Sequence, residues 1–210
     1  MHTNSISENE KLVLETFQQE IPSIYFSDKS SKEYKEYNEK LETYYREALN
    51  FPKEMFSGKS LIDFGAGTGE NTVSLANWGA KCTLVEMNIK SQKISKEIFS
   101  KYTNNINDHK FILSSIFEFD DPKLYNKFDI VHCRGVLSHT LDGKRAFEII
   151  SKYLKPGGYL IYGDPNRAGG FQNMLQRLIV YKFAKDKESM IQVCEDLFSD
   201  DIDRAQKFAK

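Results

Sequence analysis

Leu61-Ile62-Asp63-Phe64-Gly65-Ala66-Gly67-Thr68-Gly69 runs an apolar strand straight into three glycines at alternate positions, with a helical stretch behind them. Residues without a Cβ reach backbone angles closed to others and let a ligand come close to the main chain. The stretch therefore reads as a ligand cradle facing the N-terminus of the next helix.

The dinucleotide fingerprint G-x-G-x-x-G would place its third glycine at position 70, where this chain has Glu70. A pyrophosphate would meet a carboxylate there. The pattern is instead G-x-G-x-G, with Asp63 two residues ahead of it and Glu86 closing the next apolar run, Lys81-Cys82-Thr83-Leu84-Val85-Glu86. A carboxylate at the end of a second strand accepts hydrogen bonds from both hydroxyls of a ribose. The expected ligand is a nucleoside without a pyrophosphate.

With these residues the sequence resembles the class I S-adenosylmethionine-dependent methyltransferases. The likeness continues through Phe128-Asp129-Ile130-Val131-His132-Cys133 as a fourth strand and Gly135-Val136-Leu137-Ser138-His139-Thr140 as the segment after it. Leu154-Lys155-Pro156-Gly157-Gly158-Tyr159-Leu160-Ile161 is similar to the family's turn into strand five. Four motifs in order cover roughly residues 55 to 165 and are most like the small-molecule branch, often labelled methyltransferase type 11 or 12.

The resemblance implies an α/β, Rossmann-like, doubly wound parallel sheet in the order 3-2-1-4-5, with ligand at the strands' C-terminal ends. It implies an enzyme that binds S-adenosyl-L-methionine through Asp63, Gly65, Ala66, Gly67, Thr68, Gly69, Glu86, Met87, Ser115, Ile116, Cys133 and Arg134. Asp63 would reach the cofactor's amino-acid end directly or through water, and Cys133 and Arg134 would pass the methionine portion largely through main chain. Relatives usually place an acid after strand three to bind the adenine amino group. Ser115 and Ile116 stand there instead, and a serine hydroxyl is an uncharged, weaker acceptor. His139 is the candidate general base, or else a residue that fixes a helix start or touches cofactor. Asp164 either contacts substrate or makes a turn with Pro165 and Asn166.

Composition agrees with one modest domain of 210 residues plus an appendage. Lys+Arg 29 against Asp+Glu 30 gives no broad basic field for nucleic acid. Cys82, Cys133 and Cys194 are scattered without metal or disulfide spacing, which fits reduced core residues and a cytoplasmic protein. No apolar run approaches the roughly 20 residues of a membrane span, so no membrane partner is expected.

The first 55 or so residues read as an N-terminal helical cap. Tyr34, Tyr37, Leu41, Tyr44 and Ala48 recur at three- and four-residue steps and mark one apolar face, either packed on the sheet or closing over ligand. Residues 56–166 form the expected core. Within it Asn71 to Asn77 is the first crossover helix, ended by Gly79, and Ile94, Ile98, Phe99 and Tyr102 are the buried stripe of a second. Lys110 to Ser114 is strand three, and a helix carrying Ala146, Phe147, Ile149, Ile150, Tyr153 and Leu154 precedes strand five.

Residues 167–210 read as two helices, Phe171 to Phe183 and Glu188 to Lys210. The final two strands of the family are not apparent, so a truncated chain is expected. The edge of strand five along Tyr159 to Tyr162 would then be open to a tail helix or to a second copy in a homodimer. Arg167, Arg177, Lys182, Lys185 and Lys187 are interrupted by Asp186 and Glu188 and read as a solvated face. The function expected is methyl transfer to a small-molecule acceptor at oxygen, nitrogen or carbon. The alternatives are a non-catalytic cofactor-binding or scaffold subunit and, less favoured by the balanced charge, a nucleic-acid methyltransferase.

Overall fold

A computed structural model describes residues 10, 11, 13–15, 31–140 and 142–164, and positions 174, 175, 178, 182, 189 and 192. Residues up to Asp164 form one compact unit and Pro165–Lys210 a second. In the first unit, β1 (Ser60–Phe64), β2 (Lys81–Glu86), β3 (Lys110–Leu113), β4 (Phe128–Arg134) and β5 (Leu154–Gly163) lie parallel in the order β3-β2-β1-β4-β5. This is the order expected. The chain winds outward from β1 to β3 and then returns to the other side of β1 as β4. A doubly wound sheet opens a crevice at such a reversal, beyond the strands' C-terminal ends.

Among the described residues, the helices α1 (Ser31–Thr43), α2 (Glu70–Asn77), α3 (Ile89–Tyr102) and α4 (Gly143–Ser151) accompany the sheet. The starts of α3 and α4 are marked by capping side chains. The Asn88 side chain accepts from the N–H groups of Lys90 and Ser91 at the head of α3, and Asp142 accepts from the Arg145 N–H at the head of α4.

Because successive strand residues point to opposite faces, each central strand feeds two cores. Leu61, Leu84 and Ile130 pack with Val73, Ile98 and Phe99 and with Leu41 and Tyr45 of the N-terminal arm, residues 31–48. Ile62, Phe64, Val85, Val131 and Cys133 pack on the other face with Ala146, Ile150 and Tyr153. Each fully buried large side chain in these layers contributes about 1.5–3 kcal/mol.

The arm departs from its expected face at one place. Tyr34, Tyr37 and Leu41 turn inward, but residues Tyr44–Ala48 form a π-turn. Tyr45 follows Leu41 by four residues, an ordinary helical step, and so continues the inward face of Tyr34, Tyr37 and Leu41. Tyr45 is therefore fully buried, whereas Tyr44 and Ala48 are exposed.

The end of the fourth helix also differs. The helix stops at Ser151 rather than continuing to Leu154, and Leu154 already pairs with Phe128 in the sheet. Tyr153 leaves the helix to bury its ring and donate its hydroxyl to the Phe119 carbonyl at 2.9 Å. Strand three ends at Leu113, one residue early, although the Ser114 N–H still reaches the Glu86 carbonyl. Positions 174, 175, 178, 182, 189 and 192 are helical. The remaining expectations for the tail, and those for Pro165, Asn166, Arg167, Arg177, Lys185 and Lys187, lie outside the described residues.

Candidate functional site

The glycine loop joins β1 to α2 and is held against β2, with the Gly65 and Ala66 N–H groups both donating to the Val85 carbonyl at 2.9 and 3.2 Å. Gly69 begins α2 at φ +76°, and a Cβ there would meet the Ser95 hydroxyl at 2.6 Å and the Phe99 ring at 3.2 Å. Gly67 is different. Its φ is +55°, yet a Cβ would meet nothing within 4 Å. The first glycine lets α2 pack on α3; the second leaves open space over the loop where a ligand can lie. Thr68 is buried beneath the turn and Ala66 packs against the core.

Glu86, at the end of β2, faces this loop. One carboxylate oxygen accepts the Gly67 N–H at 2.7 Å and the other accepts the Asn88 N–H at 2.7 Å. Burial pushes the carboxyl above its ordinary range, against the downward pull of the Asn88 and Gly67 N–H groups and a weaker one from Met87. Each oxygen keeps a further lone pair for ligand hydroxyls. Glycine loop and carboxylate are thus one hydrogen-bonded unit.

Asp63 lies lower. It is almost fully buried, one oxygen meeting His132 Nδ1 at 2.7 Å and the other accepting the Thr72 hydroxyl. The opposite ring nitrogen of His132 meets the Tyr45 hydroxyl at 2.8 Å.

Cys133 and Arg134 close β4. Burial first, with Asp63 and Asp164 adding to it, pushes the Cys133 thiol well up, so it is no nucleophile. The Arg134 guanidinium stacks on the Tyr44 ring at 4.6 Å and lies 6.0 Å from the Tyr45 ring. Its Nη1 atom is buried without a hydrogen-bond partner.

After β3, Ser115 is buried and its hydroxyl accepts the Glu118 N–H at 3.1 Å, capping the turn that Ile116 begins. His139 sits exposed in the short 3₁₀ turn Leu137–His139 that follows β4. Asp164, at the end of β5, accepts the Ser138 N–H at 3.1 Å and so ties that turn to the sheet. The site residues therefore gather along the C-terminal ends of the strands, with Glu86 and the loop central, Ser115 beside β3 and His139 beside β4.

Sequence reading placed His132 in strand four without a part in the site, and gave Tyr45 and Thr72 none. Strand parity was the available signal: Asp63 and His132 occupy the same face of the sheet and adjacent strands.

The methyltransferase domain family matches residues 37–193, most of the chain. The chain belongs to that family. It is 28% identical over 122 residues to the ubiquinone biosynthesis O-methyltransferase of Nitrosomonas europaea, covering 57% of this chain and 50% of that protein. It is 30% identical over 114 residues to the like-named protein of Coxiella burnetii, covering 52% of this chain and 45% of that one. The chain thus spans about half the length of the curated relatives it matches. Among solved structures, magnesium protoporphyrin IX methyltransferase from Synechocystis PCC 6803, with bound SAM, superposes with a TM-score of 0.51 at 16% identity. That match covers 72% of this chain and 74% of the other, and it confirms the Rossmann-like fold.

Proposed function

We propose that this methyltransferase-family chain binds S-adenosyl-L-methionine in the glycine loop and transfers its methyl group to a small-molecule acceptor by direct displacement. The observation that carries the reading is the pairing of Gly67 with Glu86: open space above a glycine at positive φ, beside a carboxylate whose oxygens still have capacity for ribose hydroxyls. Those residues fit an adenosyl group and leave no place for a pyrophosphate beside Glu70.

When bound, this cofactor supplies a sulfonium methyl already activated for displacement. The protein then has only to align an acceptor with it, and proximity and orientation supply most of the rate. Glu86 takes the ribose, Gly65, Ala66, Gly67, Thr68 and Gly69 form the floor, and Met87, Ser115 and Ile116 wall the adenine side. Cys133 and Arg134 flank the methionine portion on the far side of β1.

A base is required only where the acceptor must lose a proton. His139, on the turn that Asp164 ties down, is the residue we assign to take it. The names of the curated relatives favour an oxygen acceptor. The balanced charge favours a small-molecule enzyme over one acting on nucleic acid, the cysteine pattern favours a cytoplasmic one, and among the described residues no helix is long and apolar enough to cross a membrane. A second copy of the chain is the partner we assign to the edge of β5, where Tyr159 and Tyr162 are exposed.

The direct test is incubation with S-adenosylmethionine and a panel of phenols, amines and carbon acids, followed by mass spectrometry for S-adenosylhomocysteine and a product heavier by one methylene. Cofactor binding without turnover on any acceptor would favour a non-catalytic binding subunit instead.

A further inference from the structure

Tyr45, His132, Asp63 and Thr72 form a continuous buried chain of polar groups beneath the glycine loop. Tyr45 and His132 lie against one another at 2.8 Å, His132 and Asp63 at 2.7 Å, and the Thr72 hydroxyl closes the chain on the other carboxylate oxygen. None of the four is more than 3% exposed. Four elements meet here: the π-turn of the arm, the paired strands β1 and β4, and the first turn of α2.

With a single hydrogen on the His132 ring, donors and acceptors fit one direction. A carboxylate only accepts, so His132 Nδ1 carries the hydrogen that faces Asp63. His132 Nε2 is then the acceptor for the Tyr45 hydroxyl. The Arg134 guanidinium lies 6.0 Å from the Tyr45 ring, so the chain leads from a cation through Tyr45 and His132 to the Asp63 carboxylate. Aligned hydrogen bonds of this kind polarise one another in a low-dielectric interior.

We propose that Tyr45 and His132 are positioning residues for the amino-acid end of the cofactor: they hold Asp63 beneath it and so make docking of the N-terminal arm a condition of cofactor affinity. This rests on the S-adenosylmethionine reading above. With the ribose on Glu86 of β2, the remainder of the ligand must extend across β1 toward β4, over Asp63. The sulfonium and ammonium of the cofactor are cationic, and the anion beneath them is the one that the chain orients. Tyr45 reaches His132 because it lies on the same inward face of the arm as Leu41. The link is reciprocal, so whatever the docked arm adds to ligand affinity, bound ligand returns to the arm by the same factor.

The test compares two thioether nucleosides by calorimetry, S-adenosylhomocysteine, which has the amino-acid end, and 5′-methylthioadenosine, which lacks it. Tyr45→Phe removes one hydrogen bond from the chain and should weaken S-adenosylhomocysteine roughly tenfold while leaving methylthioadenosine unchanged. Equal weakening of both ligands would reduce Tyr45 to general structural support and overturn the proposal. So would no change in either. If the unsubstituted protein binds neither ligand, the cofactor reading itself fails. Should Tyr45→Phe not fold, nitrogen-15 histidine spectra of the unsubstituted protein decide. His132 should appear as the Nδ1–H tautomer and should shift on adding S-adenosylhomocysteine but not methylthioadenosine. A His132 signal indifferent to both overturns the proposal.

Discussion

Asp63 and His132 stand opposite each other on neighbouring parallel strands, and their side chains meet at 2.7 Å in the centre of the sheet. Two polar groups at that depth are stable only as partners, because an unsatisfied buried group retains its full desolvation cost. Asp63→Ala removes the partner of both His132 and Thr72. It should destabilise the fold by about 3 kcal/mol, against about 1 kcal/mol for Thr72→Val. Urea unfolding of both variants measures this, and a double-mutant cycle with His132→Leu should show clear coupling. Additive losses would mean that the pair contributes nothing as a pair.

The glycines of the loop should separate stability from binding. Gly69→Ala drives a Cβ against Ser95 and Phe99, and at positive φ it carries backbone strain as well, so it should unfold at markedly lower denaturant. Gly67→Ala meets open space, so its cost should be confined to about 1–2 kcal/mol of backbone strain. Its methyl group, however, enters the ligand's volume. Loss of S-adenosylhomocysteine binding in a folded Gly67→Ala protein is the expected result; normal affinity would place the ligand elsewhere.

Glu86 gives a pH dependence whose sign follows from its environment. Burial raises its folded pKa above the ordinary 4.5, so between the two values the folded state holds more protons than the unfolded one. Stability of the free protein from this group is therefore present below 4.5 and is lost as pH rises through the raised value. Cofactor affinity runs the other way, because ribose hydroxyls donate to the ionised carboxylate. Affinity should fall on acidification from a pH above the usual glutamate range. Glu86→Gln should flatten that profile with a mild loss of affinity, and Glu86→Ala should weaken binding by about tenfold or more. A profile unchanged in Glu86→Gln would remove Glu86 as its source.

Much of this architecture was legible in the sequence because the central strands are buried on both faces. Leu61 to Phe64 and Cys82 to Glu86 read as near-continuous apolar runs, and glycine spacing marks the loop between sheet and helix. The arm was less legible. Steps of three and of four residues after Leu41 reach Tyr44 and Tyr45 alike, and the adjacent tyrosines of Tyr44-Tyr45-Arg46-Glu47-Ala48 left the inward one undecided. The end of α4 was obscured because Tyr153 and Leu154 continue its apolar stripe, although Tyr153 is committed to the Phe119 carbonyl and Leu154 to the sheet. For the site, Glu86 and the glycines could be named from position alone. The full role of His132 could not, since it depends on an arm residue 87 positions away.

The most direct measurement is calorimetric titration of the unsubstituted chain with S-adenosylhomocysteine and, separately, with NAD. Saturable heat for S-adenosylhomocysteine at one site per chain, and none for NAD, is the result predicted by the G-x-G-x-G loop and Glu86. Preferential binding of NAD, or no binding of S-adenosylhomocysteine, would contradict it.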